Sequence, residues 1–141
     1  MSIESESSPG KNIEKISLRI LVADDDESFI EPLLVVLGNK YPDCKFEVVE
    51  NGQLLLDKLK AGEYDLVITD NNMPFVKGIE ALRVIRASER TKNLSVIVLS
   101  ADDIKEAVEK NSGVYINKRD LGQNGMAVLK AEIEKVAKDI R

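Results

Sequence analysis

Apolar residues recur along this chain in two alternating rhythms. Five short runs are dense in aliphatic side chains: 18–23 (LRILVA), 45–50 (KFEVVE), 65–69 (DLVIT), 94–100 (LSVIVLS) and 114–117 (VYIN). Three of these are almost unbroken, the pattern of strands covered on both faces. The run at 45–50 mixes charge with Phe and Val, which suits an edge strand. Between the runs, apolar residues fall at helical steps of three and four. Ile30, Leu33, Leu34 and Leu37 mark the first helix, Leu55, Leu56 and Leu59 the second, and Ile79, Leu82 and Ile85 the third. Met126, Leu129, Ile133, Val136 and Ile140 form a stripe on the last. Ser28 and Glu31 have the spacing of a capping box, and Pro32 is expected to kink or delay the first helix.

Strand alternating with helix five times predicts an α/β fold: a doubly wound, five-stranded parallel sheet with helices on both faces. The order that fits five units is the flavodoxin-like 2-1-3-4-5, whose functional crevice lies beyond the carboxyl ends of the strands. A length of 141 residues is that of one domain. Residues 1–16, rich in Ser and Glu with Pro9 and Gly10, are expected to be a flexible tail ahead of a domain over 17–141.

Charge narrows the function. The net charge of -5 disfavours nucleic acid as the main partner. Apolar runs such as 33–37 fall far short of the ~20 residues that span a bilayer. The acidic N-terminus shows no secretion signal, and the lone Cys44 reads as a loop thiol, so a cytoplasmic location is expected. The chain has no histidine. That excludes His-based zinc sites, Ser-His-Asp triads and histidine general bases, and it leaves carboxylates, Lys, Ser, Thr, Tyr and Cys44 to carry any chemistry.

Those residues stand at the strand ends. Asp24, Asp25 and Asp26 follow the first run, Asp70 the third, Ser100 and Asp102 the fourth, and Lys118 the fifth. Glu50-Asn51-Gly52 after the second reads as a turn. In the expected sheet, Asp24, Asp25, Asp70, Ser100 and Lys118 converge on one pocket. Carboxylates held close together repel, so they take up protons or bind a cation. Oxygen-only ligands select a hard ion: Mg²⁺ by default, with Mn²⁺ or Ca²⁺ as alternatives. A carboxylate nucleophile, a divalent metal and a lysine are the parts needed for phosphoryl transfer to aspartate. Blander readings stand beside this one. The acids at 24–26 could serve only a helix N-terminus, Asp70 a turn, Lys118 the solvated surface, and Ser100 a strand end. Asp102 reads first as a helix cap.

The residues ILVADDD, LVITDNNMP, VIVLSA and YINK, in that order, resemble the receiver domain of two-component response regulators over about 18–140. The resemblance implies that Asp70 accepts a phosphoryl group from a histidine kinase or phosphotransfer protein. It implies Mg²⁺ held by Asp24 or Asp25, Asp70 and the backbone carbonyl of Asn72. Ser100 and Tyr115 match the family's switch pair, Lys118 its lysine, and Asp102 a position able to orient hydrolytic water. Output is then expected through contacts with a downstream protein, by a monomer or weak dimer that is not a turnover enzyme. Two features depart from the pattern. Arg119 stands where the family has proline after a cis bond. A cis bond before a non-proline costs about 2.5–4 kcal/mol, so either a trans bond with a rebuilt loop or a strained cis one is expected. The segment from Ser100 to Lys118 is also short by about one helical turn, which predicts a stunted fourth helix near 103–110. Both motivate a second reading, a degenerate receiver that binds partners without phosphorylation. A third, an aspartate-based phosphohydrolase, wants a second acid where Asn72 stands.

Overall fold

The computed structural model describes residues 15–140. Five strands, β1 (Arg19–Ala23), β2 (Lys45–Val49), β3 (Leu66–Asp70), β4 (Ser95–Ser100) and β5 (Val114–Asn117), form one parallel sheet in the order β2-β1-β3-β4-β5. Five helices alternate with them: α1 (Glu27–Lys40), α2 (Gly52–Ala61), α3 (Gly78–Ala87), α4 (Lys105–Lys110) and α5 (Met126–Asp139). The expected architecture and strand order are those observed, and the mixed β2 is an edge strand as its pattern predicted.

Strand periodicity divides the core in two. Ile20, Val22, Ile68, Ile97 and Leu99 face one side and pack with Leu33 and Leu37 of α1 and Leu129 and Ile133 of α5. Leu21, Ala23, Val67, Val96 and Val98 face the other and pack with Leu55 and Leu59 of α2, and Leu82 and Ile85 of α3. Every residue of β3 is buried, its apolar start Leu66–Val67–Ile68 and also Thr69 and Asp70 at its end.

Register then fixes the site. Ala23 pairs with Thr69, Asp70 with Leu99, and Ser100 with Asn117. One residue further along, Asp24 stands level with Asp70, and Lys118 emerges one place past the Ser100–Asn117 pair.

Several local expectations are corrected. The N-cap of α1 is Asp26, whose side chain accepts from Ser28 N, so Ser28 and Glu31 lie inside the helix and form no capping box. An aspartate there satisfies free N–H groups of the first turn directly, which removes the need for one further on. The helix runs through Pro32 from Glu27 to Lys40 without delay. Asn51-Gly52 is not a free turn: Asn51 caps α2 through Leu54 N. The fourth helix is shorter still than expected, six residues from Lys105. Ile140 is the C-cap of α5 and is exposed, so the apolar stripe ends at Val136. Most of the expected tail lies outside the described residues. Ile16, placed in that tail, packs against the core ahead of β1.

Candidate functional site

Three carboxylates meet at the carboxyl edge of the sheet. Asp24, Asp25 and Asp70 each offer an oxygen, and these oxygens lie within 4.8 Å of one another. Asp24 and Asp70 are buried and Asp25 is exposed. Asp24 is pinned twice: its backbone N–H donates to Val49 O, and its Oδ1 accepts from Asp26 N at 3.0 Å. Asp26 belongs to the helix instead, accepting from Ser28 N and Ser28 Oγ. Those bonds, the Ser28 hydroxyl first, hold its carboxyl below the usual range.

Lys118 enters this cluster from the far side of β3. Its Nζ donates to Asp24 Oδ2 at 3.0 Å and lies 3.4 Å from Asp70 Oδ1. Three carboxylates face one ammonium, two of them buried and Asp25 open to solvent, so acidic groups outnumber the base. Burial, and then the charge of Asp24, push the Asp70 carboxyl up, with Lys118 offsetting part of the rise. Burial pulls the Lys118 ammonium down, but its hydrogen bond to Asp24 and the charge of Asp70 outweigh that, and the net shift is upward. A divalent cation is the species that would relieve the remaining repulsion, and an all-oxygen set suits a hard one.

The loop after Asp70 is held by close approach. A Cβ on Gly78 would stand 2.2 Å from Asp70 O, and one on Gly52 2.2 Å from Val76 O, so α3 and α2 press directly on both ends of the loop. Asn71 is buried, and its Oδ1 accepts from Ile79 N. Thr69 Oγ1 donates to Asp70 O. The turn is completed by Phe75, which has a positive φ of 72° and is exposed. A bulky residue rarely adopts that conformation.

Ser100 is fully buried at the end of β4, and its Oγ accepts from Asp102 N at 3.0 Å. Tyr115 OH donates to Asp102 O at 2.6 Å. Burial, followed by the charge of Asp103, raises its phenol. Asp102 is not a helix cap: α4 begins after Ile104, and the Asp102 carboxylate accepts from Asn72 Nδ2 at 2.7 Å. The structure thus brings Asp24, Asp25, Asp70 and Lys118 into one cluster. It ties Ser100, Tyr115 and Asn72 to that cluster's edge through Asp102.

Arg119 has a plain consequence. The described residues contain no cis peptide bond, so Lys118–Arg119 is trans and the loop is rebuilt. A 3₁₀ turn (Lys118–Asp120) runs into a π turn (Leu121–Gly125) before α5. Asn117 Oδ1 accepts from Arg119 N at 2.8 Å, a donor proline lacks.

Sequence reasoning missed Phe29. The Lys118 ammonium lies over its ring, with Nζ 4.2 Å from the centroid. The only available signal was an aromatic at the start of α1, which periodicity treats as one more core residue.

A family model described as "Response regulator receiver domain" matches residues 20–129. The chain belongs to the response regulator receiver family. Among curated relatives of this receiver domain, the chemotaxis protein CheY of Pseudomonas aeruginosa is 33% identical over 126 residues, covering 84% of this chain and 95% of its own length. Chemotaxis protein CheY-3 of Vibrio cholerae is 29% identical over 123 residues, covering 85% and 92%. The response regulator TrrA of Thermotoga maritima, solved in complex with Mg²⁺ and BeF, superposes with a TM-score of 0.69 at 30% identity, over 84% of this chain and 97% of that one. A Francisella response regulator receiver domain gives a TM-score of 0.68 at 25% identity, over 89% and 100%. Among the described residues, no helix is long and apolar enough to cross a membrane.

Proposed function

We propose that this receiver domain, spanning residues 17–141 with Ile16 packed on its core just ahead, is a phosphoacceptor switch with Asp70 as the acceptor. The observation that carries this is the lysine-bridged cluster of Asp24, Asp25 and Asp70. Asp70 ends a fully buried strand, so a rigid sheet holds its carboxylate for in-line attack. Its oxygen forms the new P–O bond while the donor's P–N bond breaks, and the electron pair leaves on the donor imidazole. This chain has no histidine, so that imidazole belongs to another protein, a histidine kinase or phosphotransfer protein.

Asp24, Asp25, Asp70 and the backbone carbonyl of Asn72 would hold Mg²⁺, the ion named in the Thermotoga relative's complex. The ion would neutralise charge between the acceptor and the incoming phosphoryl oxygens. Lys118 balances Asp24 and Asp70 before transfer and meets a phosphoryl oxygen afterwards. Ser100 donates its O–H to another oxygen, and the movement of Oγ carries with it the N–H of Asp102 that it now accepts. Tyr115 hangs on the carbonyl of that same Asp102, so a shift at Ser100 moves the surface beside Tyr115. The Asp102 carboxylate, held by Asn72, would orient a hydrolytic water. Signalling then proceeds through protein contacts of a cytoplasmic monomer or weak dimer, with self-dephosphorylation rather than turnover of an external substrate.

The test is incubation with Mg²⁺ and a small phosphodonor such as acetyl phosphate. One added phosphoryl mass on Asp70, absent without Mg²⁺ and absent in Asp70→Asn, is the expected result. The rebuilt loop at Arg119 and the six-residue α4 favour a second reading, a binding module that works without phosphorylation. That reading gains if the wild-type chain gives no adduct and Mg²⁺ causes no change in the spectra of pocket residues.

A further inference from the structure

We infer that Phe29 is a positioning residue for Lys118, its ring face holding the ammonium at the acceptor while leaving it free to change partner. This rests on the phosphoacceptor reading of Asp70. The ammonium lies 3.0 Å from Asp24 Oδ2, 3.4 Å from Asp70 Oδ1 and 4.2 Å from the Phe29 centroid. Two carboxylates and an aromatic face all lie against it, and the side chain is only 19% exposed. The ring is itself fixed. It stands in the first turn of α1, where Phe29 N donates to Asp26 O, and it packs against the core on the α1–α5 side of the sheet.

The need for such a support is local. Lys118 opens a 3₁₀ turn that leads through a π turn into α5, and its neighbour is Arg119 with a trans bond. No proline ring stiffens the backbone from which the lysine stem leaves. Its aim therefore depends on what the side chain touches. A ring face attracts the ammonium through its quadrupole without a directional hydrogen bond. Such a support restrains the charge laterally and lets it slide from Asp24 towards oxygen atoms at Asp70. A carboxylate or amide in the same place would compete for the ammonium instead.

Two measurements test this. In the Mg²⁺-free full chain, ring current should displace the Lys118 Cε protons upfield of other lysines. Lys118→Met assigns the signal, and Phe29→Leu returns it to the ordinary position. Second, Phe29→Leu should slow acetyl phosphate-driven phosphorylation about tenfold with little change in the Mg²⁺ half-saturation, and Phe29→Tyr should stay within about twofold of wild type. Phenylalanines carrying one, two and three ring fluorines at position 29 keep the shape while weakening the quadrupole, so the rate should fall step by step. A flat fluorination series, or a Phe29→Leu rate equal to wild type, overturns the inference. So does an undisplaced Lys118 signal, whether or not Asp70 takes up phosphate. A displaced signal in a wild-type chain that forms no adduct overturns Phe29's part in phosphoryl transfer together with the acceptor reading.

Discussion

Asn72 Nδ2 donates to Asp102 Oδ2 at 2.7 Å, and this bond joins the loop after β3 to the loop after β4. Asp102 also receives Tyr115 OH on its carbonyl and gives its N–H to Ser100 Oγ. One residue thus holds three groups that would have to move in concert. A hydrogen bond to a charged acceptor contributes about 1.5–3 kcal/mol when sheltered, and this one is exposed. A double-mutant cycle with Asn72→Ala and Asp102→Ala should therefore give a coupling of about 1 kcal/mol in urea unfolding. Asp102→Ala should also lengthen the lifetime of the Asp70 adduct. Additive single mutants would show that the two loops are not linked.

The layout of the site could be read from the sequence because it is set by strand register. Once the apolar runs fix β1, β3, β4 and β5 as neighbours, the residues that follow them have little choice of position. Asp24 beside Asp70 follows from the pairing of Ala23 with Thr69. What escaped the reading depends on side-chain contacts between segments far apart in sequence. Nothing at Asp102 marks it as a partner of Asn72 rather than a helix cap. Nothing at Phe29 marks its ring as a cover for a lysine 89 positions later. Asp26 stands outside the expected pocket, and the helix N-terminus weighed for the acids at 24–26 is its place: it is the N-cap of α1. The local backbone turns Asp26 to Ser28 and leaves Asp24 and Asp25 for the pocket.

Asp25 separates metal binding from folding. It is the exposed member of the cluster, so Asp25→Ala should change stability in EDTA by no more than about 0.5 kcal/mol. A ligand that binds only the native state at ten times its Kd stabilises by about 1.4 kcal/mol. Thermal melts of wild type should show a gain of that order when Mg²⁺ is added, and Asp25→Ala should lose most of it. An equal Mg²⁺ gain in both proteins would place the ion elsewhere.

Asp70 sets a pH dependence with a definite sign. Burial and the charge of Asp24 raise its carboxyl on folding, so the native state holds the proton more tightly than the unfolded chain does. The stability linked to that proton is complete below the unfolded value near 3.8 and is lost as pH rises through the folded value. At pH 7 without metal, Asp70 thus weakens the fold. Asp70→Asn should therefore raise Tm by roughly 3 °C at pH 7 in EDTA, and the advantage should shrink towards pH 4. Lys118 keeps Asp24 as a partner in that variant, and its own upward shift lies far above this window. A Tm at pH 7 that is unchanged or lower would contradict this electrostatic account.

Gly78 is required by contact rather than by conformation. An added methyl would stand 2.2 Å from the Asp70 carbonyl oxygen and 3.0 Å from Asn71 Cα, both backbone atoms that cannot swing aside. Gly78→Ala should cost about 2–3 kcal/mol in urea unfolding, near the upper range for overpacking. It should also displace Asp70 and slow adduct formation. Gly38→Ala is the control, because a methyl there meets nothing within 4 Å. Equal losses at the two glycines would dismiss the close approach of α3 to the end of β3 as the cause.

Restoring the family's proline at 119 should harm this chain. Arg119 N–H donates to Asn117 Oδ1 at 2.8 Å, and proline would remove that donor. A net hydrogen bond of this kind is worth about 1 kcal/mol. Proline also disfavours helical φ and ψ in the residue before it, and Lys118 is the first residue of a 3₁₀ turn. The two effects together predict a loss of about 2 kcal/mol for Arg119→Pro. Arg119→Ala keeps the N–H and the turn, so it should stay within about 0.5 kcal/mol of wild type. The lysine should report the same difference. With its backbone pushed out of the turn, Nζ leaves Asp24 and the Phe29 ring, and adduct formation in Arg119→Pro should fall while Arg119→Ala retains it. If Arg119→Pro proves as stable and as readily phosphorylated as wild type, the loop does not depend on the trans bond and the Asn117 contact described here.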